Sequence, residues 1–132
     1  MRIATISLIL SFLIIGCKKE ESNPAENGPA INIISPTSND IPATGSTVEI
    51  NATVKDDDQV NDVTINISSN FSATPASIEI KFDHIHNTEF NVDTSFIANI
   101  PSGSMADYTI QISAEDMSGN SNSESVTFHV MD

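Results

Sequence analysis

Tyr108-Thr109-Ile110-Gln111-Ile112-Ser113-Ala114-Glu115 alternates apolar and polar residues without a break. In an extended chain, successive side chains point to opposite faces. Tyr108, Ile110, Ile112 and Ala114 therefore share one face, and Thr109, Gln111, Ser113 and Glu115 the other. A helix needs a repeat near 3.6, which this stretch lacks, so it reads as a half-buried strand. Ser118-Gly119-Asn120-Ser121 follows it with turn residues, and Val126, Phe128 and Val130 resume the alternation. Two alternating runs joined by a short turn make a hairpin.

The same period recurs towards the N-terminus. Ile31 and Ile33 form a short run that Pro36 ends. Val48, Ile50, Ala52 and Val54 alternate with Glu49, Asn51, Thr53 and Lys55. Val63, Ile65 and Ile67 alternate with Thr64, Asn66 and Ser68, and Ile78, Ile80 and Phe82 with Glu79, Lys81 and Asp83. Phe96, Ala98 and Ile100 repeat the pattern less cleanly, because Ile97 is also apolar. Asp56-Asp57-Asp58-Gln59 reads as the turn between the second and third strands. After residue 16 no segment has a capped helical period. About seven short strands, each with one apolar face, call for an all-β, two-layer antiparallel sandwich.

The run from Asp107 to Asn120 resembles the last hairpin of bacterial immunoglobulin-like and cadherin-like domains: a tyrosine, alternating apolar residues, Ala114-Glu115-Asp116, then Gly119-Asn120. Ala52 to Val63 is similar to the second and third strands of the same domains. The resemblance covers most of Ile31 to Val130 and implies an immunoglobulin-like β-sandwich. Tyr108 stands where such domains place a tyrosine corner, its hydroxyl bonding back to nearby backbone. The chain lacks the paired cysteines and the tryptophan of antibody domains, and Asn70 to Asn91 matches no part of the pattern.

The N-terminal residues have a different character. Met1-Arg2 precedes a mostly apolar run from Ile3 to Ile15, then Gly16-Cys17. A charged start, a short apolar stretch and a small residue at the cut are the layout of a secretory signal. About 13 residues fall short of the ~20 needed to span a bilayer as a helix. Leu13-Ile14-Ile15-Gly16-Cys17 resembles the lipobox of bacterial lipoproteins, which implies cleavage before Cys17 and acylation of that residue, palmitate included. Residues 1–16 are then the signal peptide, 17–30 the lipidated cysteine with a flexible linker, and 31–132 the sandwich. Lys18 to Ala30 is polar and rich in Asn, Pro and Gly, as a solvated tether is. Lys19-Glu20-Glu21 resembles the export signal of Bacteroidota-type lipoproteins, which implies a cell-envelope, outer-membrane address with the surface face as its destination. An ordinary polar linker is the other reading of the triplet.

Net charge is −13, from 18 acidic and five basic side chains. Loss of Arg2 with the signal adds one further negative unit. So acidic a chain repels phosphate and is not expected to bind nucleic acid. Acidic membrane surfaces repel it too, so the acyl chains would hold it to the membrane. The single cysteine, Cys17, allows no internal disulfide, and stability must come from the apolar core. No Gly-x-Ser-x-Gly elbow, HExxH or Gly-rich phosphate loop occurs, and no catalytic residue is assigned. The chain is not expected to be an enzyme.

Three groups are candidate sites. Asp56, Asp57, Asp58 and Asp62 lie at one expected connection, and Glu115 and Asp116 at another that a sandwich brings to the same end. Hard oxygen donors with little else suit calcium. Asp56, Asp57, Asp58 and Asp116 are the expected ligands, and calcium the expected cofactor if there is one. Turn capping and surface solubility are the alternative. His84 and His86, two apart on an extended segment, would point the same way and hold a transition metal with Asp83 or Glu89; His129 faces outward by parity. Phe71, Phe82, Ile85 and Phe90 fall in or beside loops, as a contact patch or as folded-back core. The sequence thus predicts a lipid-anchored binding or adaptor module whose loop end contacts another envelope protein or an extracellular ligand. A calcium-stabilised structural module and a surface glycan-binding lipoprotein are the alternatives; one tyrosine and no tryptophan weaken the last.

Overall fold

Alternating β-branched and polar residues favour the pleated chain wherever one face can be buried, and in the computed structural model of the protein the described residues form six strands. It describes residues 28–71 and 77–132. The strands are β1 (Ala30–Ser35), β2 (Thr47–Ser69), β3 (Ser77–Phe82), β4 (Asn87–Ile97), β5 (Met105–Asp116) and β6 (Ser121–Met131). The expected signal peptide, Cys17 and residues 17–27 of the linker lie outside the described residues.

The second and third expected strands are one strand. β2 runs unbroken for 23 residues. Its first part, up to Lys55, pairs with β1 on one side and β4 on the other. Its second part, from Val60, pairs with β3 and β5, and β5 pairs with β6. All of these pairings are antiparallel. The result is two layers, β1–β2–β4 and β3–β2–β5–β6, joined through β2 into one curled sheet. This is an immunoglobulin-like β-sandwich. Asp56-Asp57-Asp58-Gln59 is therefore the bend of a continuous strand. Gln59 takes a positive φ of 69°, and the register shifts between Lys55 and Val60 and again between Val60 and Asp62. Such irregularities bend a strand and swap its faces. Buried positions accordingly change from even (Val48, Ile50, Ala52, Val54, Val60) to odd (Val63, Ile65, Ile67).

The fifth expected strand, placed at Phe96 to Ile100, begins much earlier, at Asn87. Its inward residues are Phe90, Val92, Thr94 and Phe96. Asn87-Thr88-Glu89 is wholly polar and Thr94 interrupts the apolar series, so Phe90 and Val92 stand as a broken pair rather than as the start of a run. Ala98 and Ile100 are buried in the connection that follows.

Both layers turn their apolar faces inward. Ile50, Val54, Ile65, Ile110, Ile112, Phe128 and Val130 are completely buried, and each such side chain contributes about 1.5–3 kcal/mol of transfer free energy. Phe96 of one layer meets Tyr108 of the other at a ring-centroid distance of 5.7 Å, and Tyr108 stacks on Phe128 at 6.0 Å. The Tyr108 hydroxyl donates to the Asn99 carbonyl at 2.9 Å, the expected tyrosine corner.

The chain enters the sandwich at a defined end. Ala30 pairs with Lys55, beside the bend. Gly28, at φ +57°, sits where an added Cβ would lie 2.7 Å from the Ser121 carbonyl carbon, so only glycine fits. Asn122 Nδ2 donates to the Pro29 carbonyl at 3.2 Å. The entry end thus carries the β2 bend, the connection from β3 to β4 and the β5–β6 hairpin.

Candidate functional site

The entry end collects most of the residues singled out from the sequence. At the hairpin, Asp116 is almost fully buried. Its Oδ1 accepts from the backbone N–H groups of Ser118 and Asn120, both at 2.8 Å, and its Oδ2 accepts from Asn120 Nδ2 at 2.8 Å. The Asp116 N–H donates to the Asn120 carbonyl at 2.9 Å. Burial pushes the carboxyl pKa up, but donors from Asn120, Ser118 and Gly119 outweigh it and hold the pKa below its ordinary value. The Ala114-Glu115-Asp116 to Gly119-Asn120 pattern is thereby explained: the aspartate closes the turn, and Gly119 adopts φ +86° inside it.

The bend and the hairpin meet. The Met117 N–H donates to the Gln59 carbonyl at 3.0 Å, and the Ser118 hydroxyl donates to Asp58 Oδ2. Asp56 Oδ1 accepts from the Asp58 N–H at 2.7 Å, closing the bend locally. Asp57 is exposed. Both acid stretches lie at one end, but their side chains serve different tasks. Asp56 and Asp58 shape the bend at the surface, while Asp116 is buried with both oxygens engaged. Among the described residues, no three His, Cys, Asp or Glu side chains are grouped as metal ligands are.

The histidine pair flanks the same end. His84 and His86 do not lie on an extended segment, for both take left-handed conformations, φ 59° and 54°. Three successive N–H groups are tied to β2 here. The His84 N–H donates to Asp62 Oδ1 at 3.1 Å, and the Ile85 and His86 N–H groups donate to the carbonyls of Asn61 and Val60, both at 2.9 Å. The rings are 6.1 Å apart and tilted by 39°. Glu89 pairs with Lys55 at 3.0 Å, across from it on β2. His129 does face outward, with Nδ1 2.6 Å from Asp107 Oδ1.

Phe71, Phe82, Ile85 and Phe90 are half-buried and pack against the core. Phe82 of β3 and Phe90 of β4 meet at 5.2 Å, one ring from each layer. The folded-back reading describes them. Sequence reasoning missed the Asp58–Ser118 contact, because a serine hydroxyl in a turn carries no pattern. It also missed the Gly28 seat, whose only signal is a Gly-Pro pair.

A family model described as a domain of unknown function, DUF4625, matches residues 15–131. No curated protein matches the chain. Among solved structures, fibronectin(III)-like modules of Clostridium thermocellum CbhA are similar, at 19% identity and a TM-score of 0.49 over 77% of this chain and 97% of that one. By its family match, the chain belongs to the DUF4625 domains of unknown function.

Proposed function

We propose that this protein is a lipid-anchored, non-catalytic binding module of a bacterial cell envelope, attached through Cys17 and presenting its sandwich to a partner. The observation that carries the reading is the junction at Gly28. A lipobox-like stretch ends at Cys17, polar residues 18–27 follow, and the next residue is locked against Ser121. A rigid sandwich directly after a short polar segment suits a module held near a surface. With Gly28 seated, residues 18–27 reach at most ~35 Å. The outer membrane is the proposed address, and an envelope protein the proposed partner, with a glycan as the less favoured one.

Labelling cells with an alkyne palmitate tests the anchor. The wild-type chain should take up label and sediment with membranes. Cys17→Ser should do neither, and equal labelling of both would refute the reading.

The second reading, calcium bound by Asp56, Asp57 and Asp58, is the less favoured one: Asp56 Oδ1 and Asp58 Oδ2 already accept hydrogen bonds, and among the described residues no three acidic side chains are grouped as ligands are. Asp116 joins such a site only by releasing its three hydrogen bonds. Calcium should then raise the melting midpoint above the value in magnesium at equal ionic strength, and identical midpoints would rule the site out.

A further inference from the structure

We infer that the end of the sandwich opposite the chain entry docks a partner protein that carries apolar side chains within a basic rim. Exposed apolar side chains gather in that half of the molecule. Met105 and Met131 stand directly opposite each other on β5 and β6, so their side chains share one face. They are 61% and 43% exposed. The Met131 N–H donates to the Pro42 carbonyl at 3.2 Å, which brings Ile41, 58% exposed, to the same corner. Beside Ile41 lies an open cleft of about 350 Å³, with Pro36, Pro42 and Val48 in its lining together with Asp40 and Glu49. Among the described residues, Met117 is the one large exposed apolar side chain at the entry end, where the acids collect instead. The two ends are chemically different.

The charge around the patch identifies the partner. Asp40, Glu49 and Asp132 are exposed there. The two described lysines lie elsewhere and pair with Glu89 and Glu79. A basic rim on the partner complements this arrangement. A second copy does not, because it brings the same acids to the contact, and each chain without Arg2 carries one negative unit more than the −13 of the full sequence. The chain's own residues 18–27 include no large aliphatic or aromatic side chain to cover the patch. Residues 3–15 do, so the inference rests on the proposed removal of residues 1–16. It also rests on the proposed anchor, which places the entry end towards the membrane and this patch about 35 Å beyond it, the length of a 12-residue strand.

The test uses the full chain in its native envelope, with a photo-cross-linking residue at position 41, 105 or 57. The expected result is one distinct protein captured from 41 and 105 and not from 57. That protein, once identified and purified, should bind the purified lipoprotein at least tenfold more weakly after the double substitution Ile41→Ser, Met105→Ser, and more weakly at high salt. Both side chains are exposed, so the melting midpoint should hold. Capture from 57 alone, cross-links between copies or to residues 3–15, no capture, or unchanged affinity of the double variant would each overturn the inference. Palmitate labelling of Cys17 is scored separately, so failure of the anchor and failure of the docking surface are distinguishable.

Discussion

The hydroxyl of Tyr108 reaches 2.9 Å to the carbonyl of Asn99, nine residues upstream. This bond ties the start of β5 to the connection leaving β4, and the same ring packs between Phe96 and Phe128. Tyr108→Phe removes only the bond and should lower stability by about 1–2 kcal/mol, the cost of a lost, partly buried hydrogen bond. Tyr108→Ala also empties the ring site between the layers and should cost about 3–5 kcal/mol. Urea unfolding of the two variants checks the split; equal losses would mean that the ring contributes nothing beyond the hydroxyl.

Asp116 should impose an acid limit on the fold. Its pKa is lowered in the folded chain, with hydrogen-bond donors outweighing burial. A group of this kind contributes fully above its unfolded pKa, about 3.9. The contribution is lost as pH falls through the lower folded value. Unfolding free energy measured from pH 6 to pH 2.5 should therefore decline below about pH 4. Asp116→Asn keeps the shape but turns an amide towards Asn120 Nδ2, a donor against a donor. It should cost about 1.5–3 kcal/mol at pH 7 and flatten the acid decline. An unchanged decline in the variant would assign it to other carboxylates.

Gly28 should resist any side chain. Its φ of +57° already disfavours other residues, and a Cβ would press on the Ser121 backbone. Gly28→Ala should cost about 1–2 kcal/mol from the left-handed conformation, with the steric contact added. The loss is local, so hydrogen exchange should speed up most at β1 and the first residues of β6. A uniform change across the sandwich would contradict the local seat.

The alternation made the layers legible because burial on one face is written directly in composition. Tyr108 to Ala114 and Val126 to Val130 needed nothing more. The even-to-odd change between Val54 and Val63 was also visible, but its meaning was not. A strand that bends while staying paired and a turn that ends pairing present the same polar residues, Asp56 to Gln59. The first residues of β4 were hidden because Asn87, Thr88 and Glu89 are placed by partners distant in sequence: Asn87 pairs with Val60 and Glu89 with Lys55. The convergence of the two acid stretches was legible from strand order. The separate task of Asp116 was not, since it depends on donors that only the folded turn aligns.

The entry end should repel itself. Asp57 is exposed beside Asp56 and Asp58, and the bend holds those neighbours in place through the Asp58 N–H and the Ser118 hydroxyl. Like charges fixed within one bend oppose folding, weakly, because solvent screens them. Asp57→Lys replaces repulsion with attraction and should raise stability by about 0.3–1 kcal/mol at low ionic strength. Near 1 M sodium chloride the Debye length is about 3 Å, and the gain should vanish. The same substitution separates screening from coordination. If the acids are only a repulsive surface, sodium and calcium at equal ionic strength narrow the gap between wild type and Asp57→Lys alike. A calcium-specific gain in the wild type that Asp57→Lys abolishes would instead place an ion at Asp56 to Asp58. Chemical denaturation of both proteins in sodium and calcium chloride decides between these outcomes.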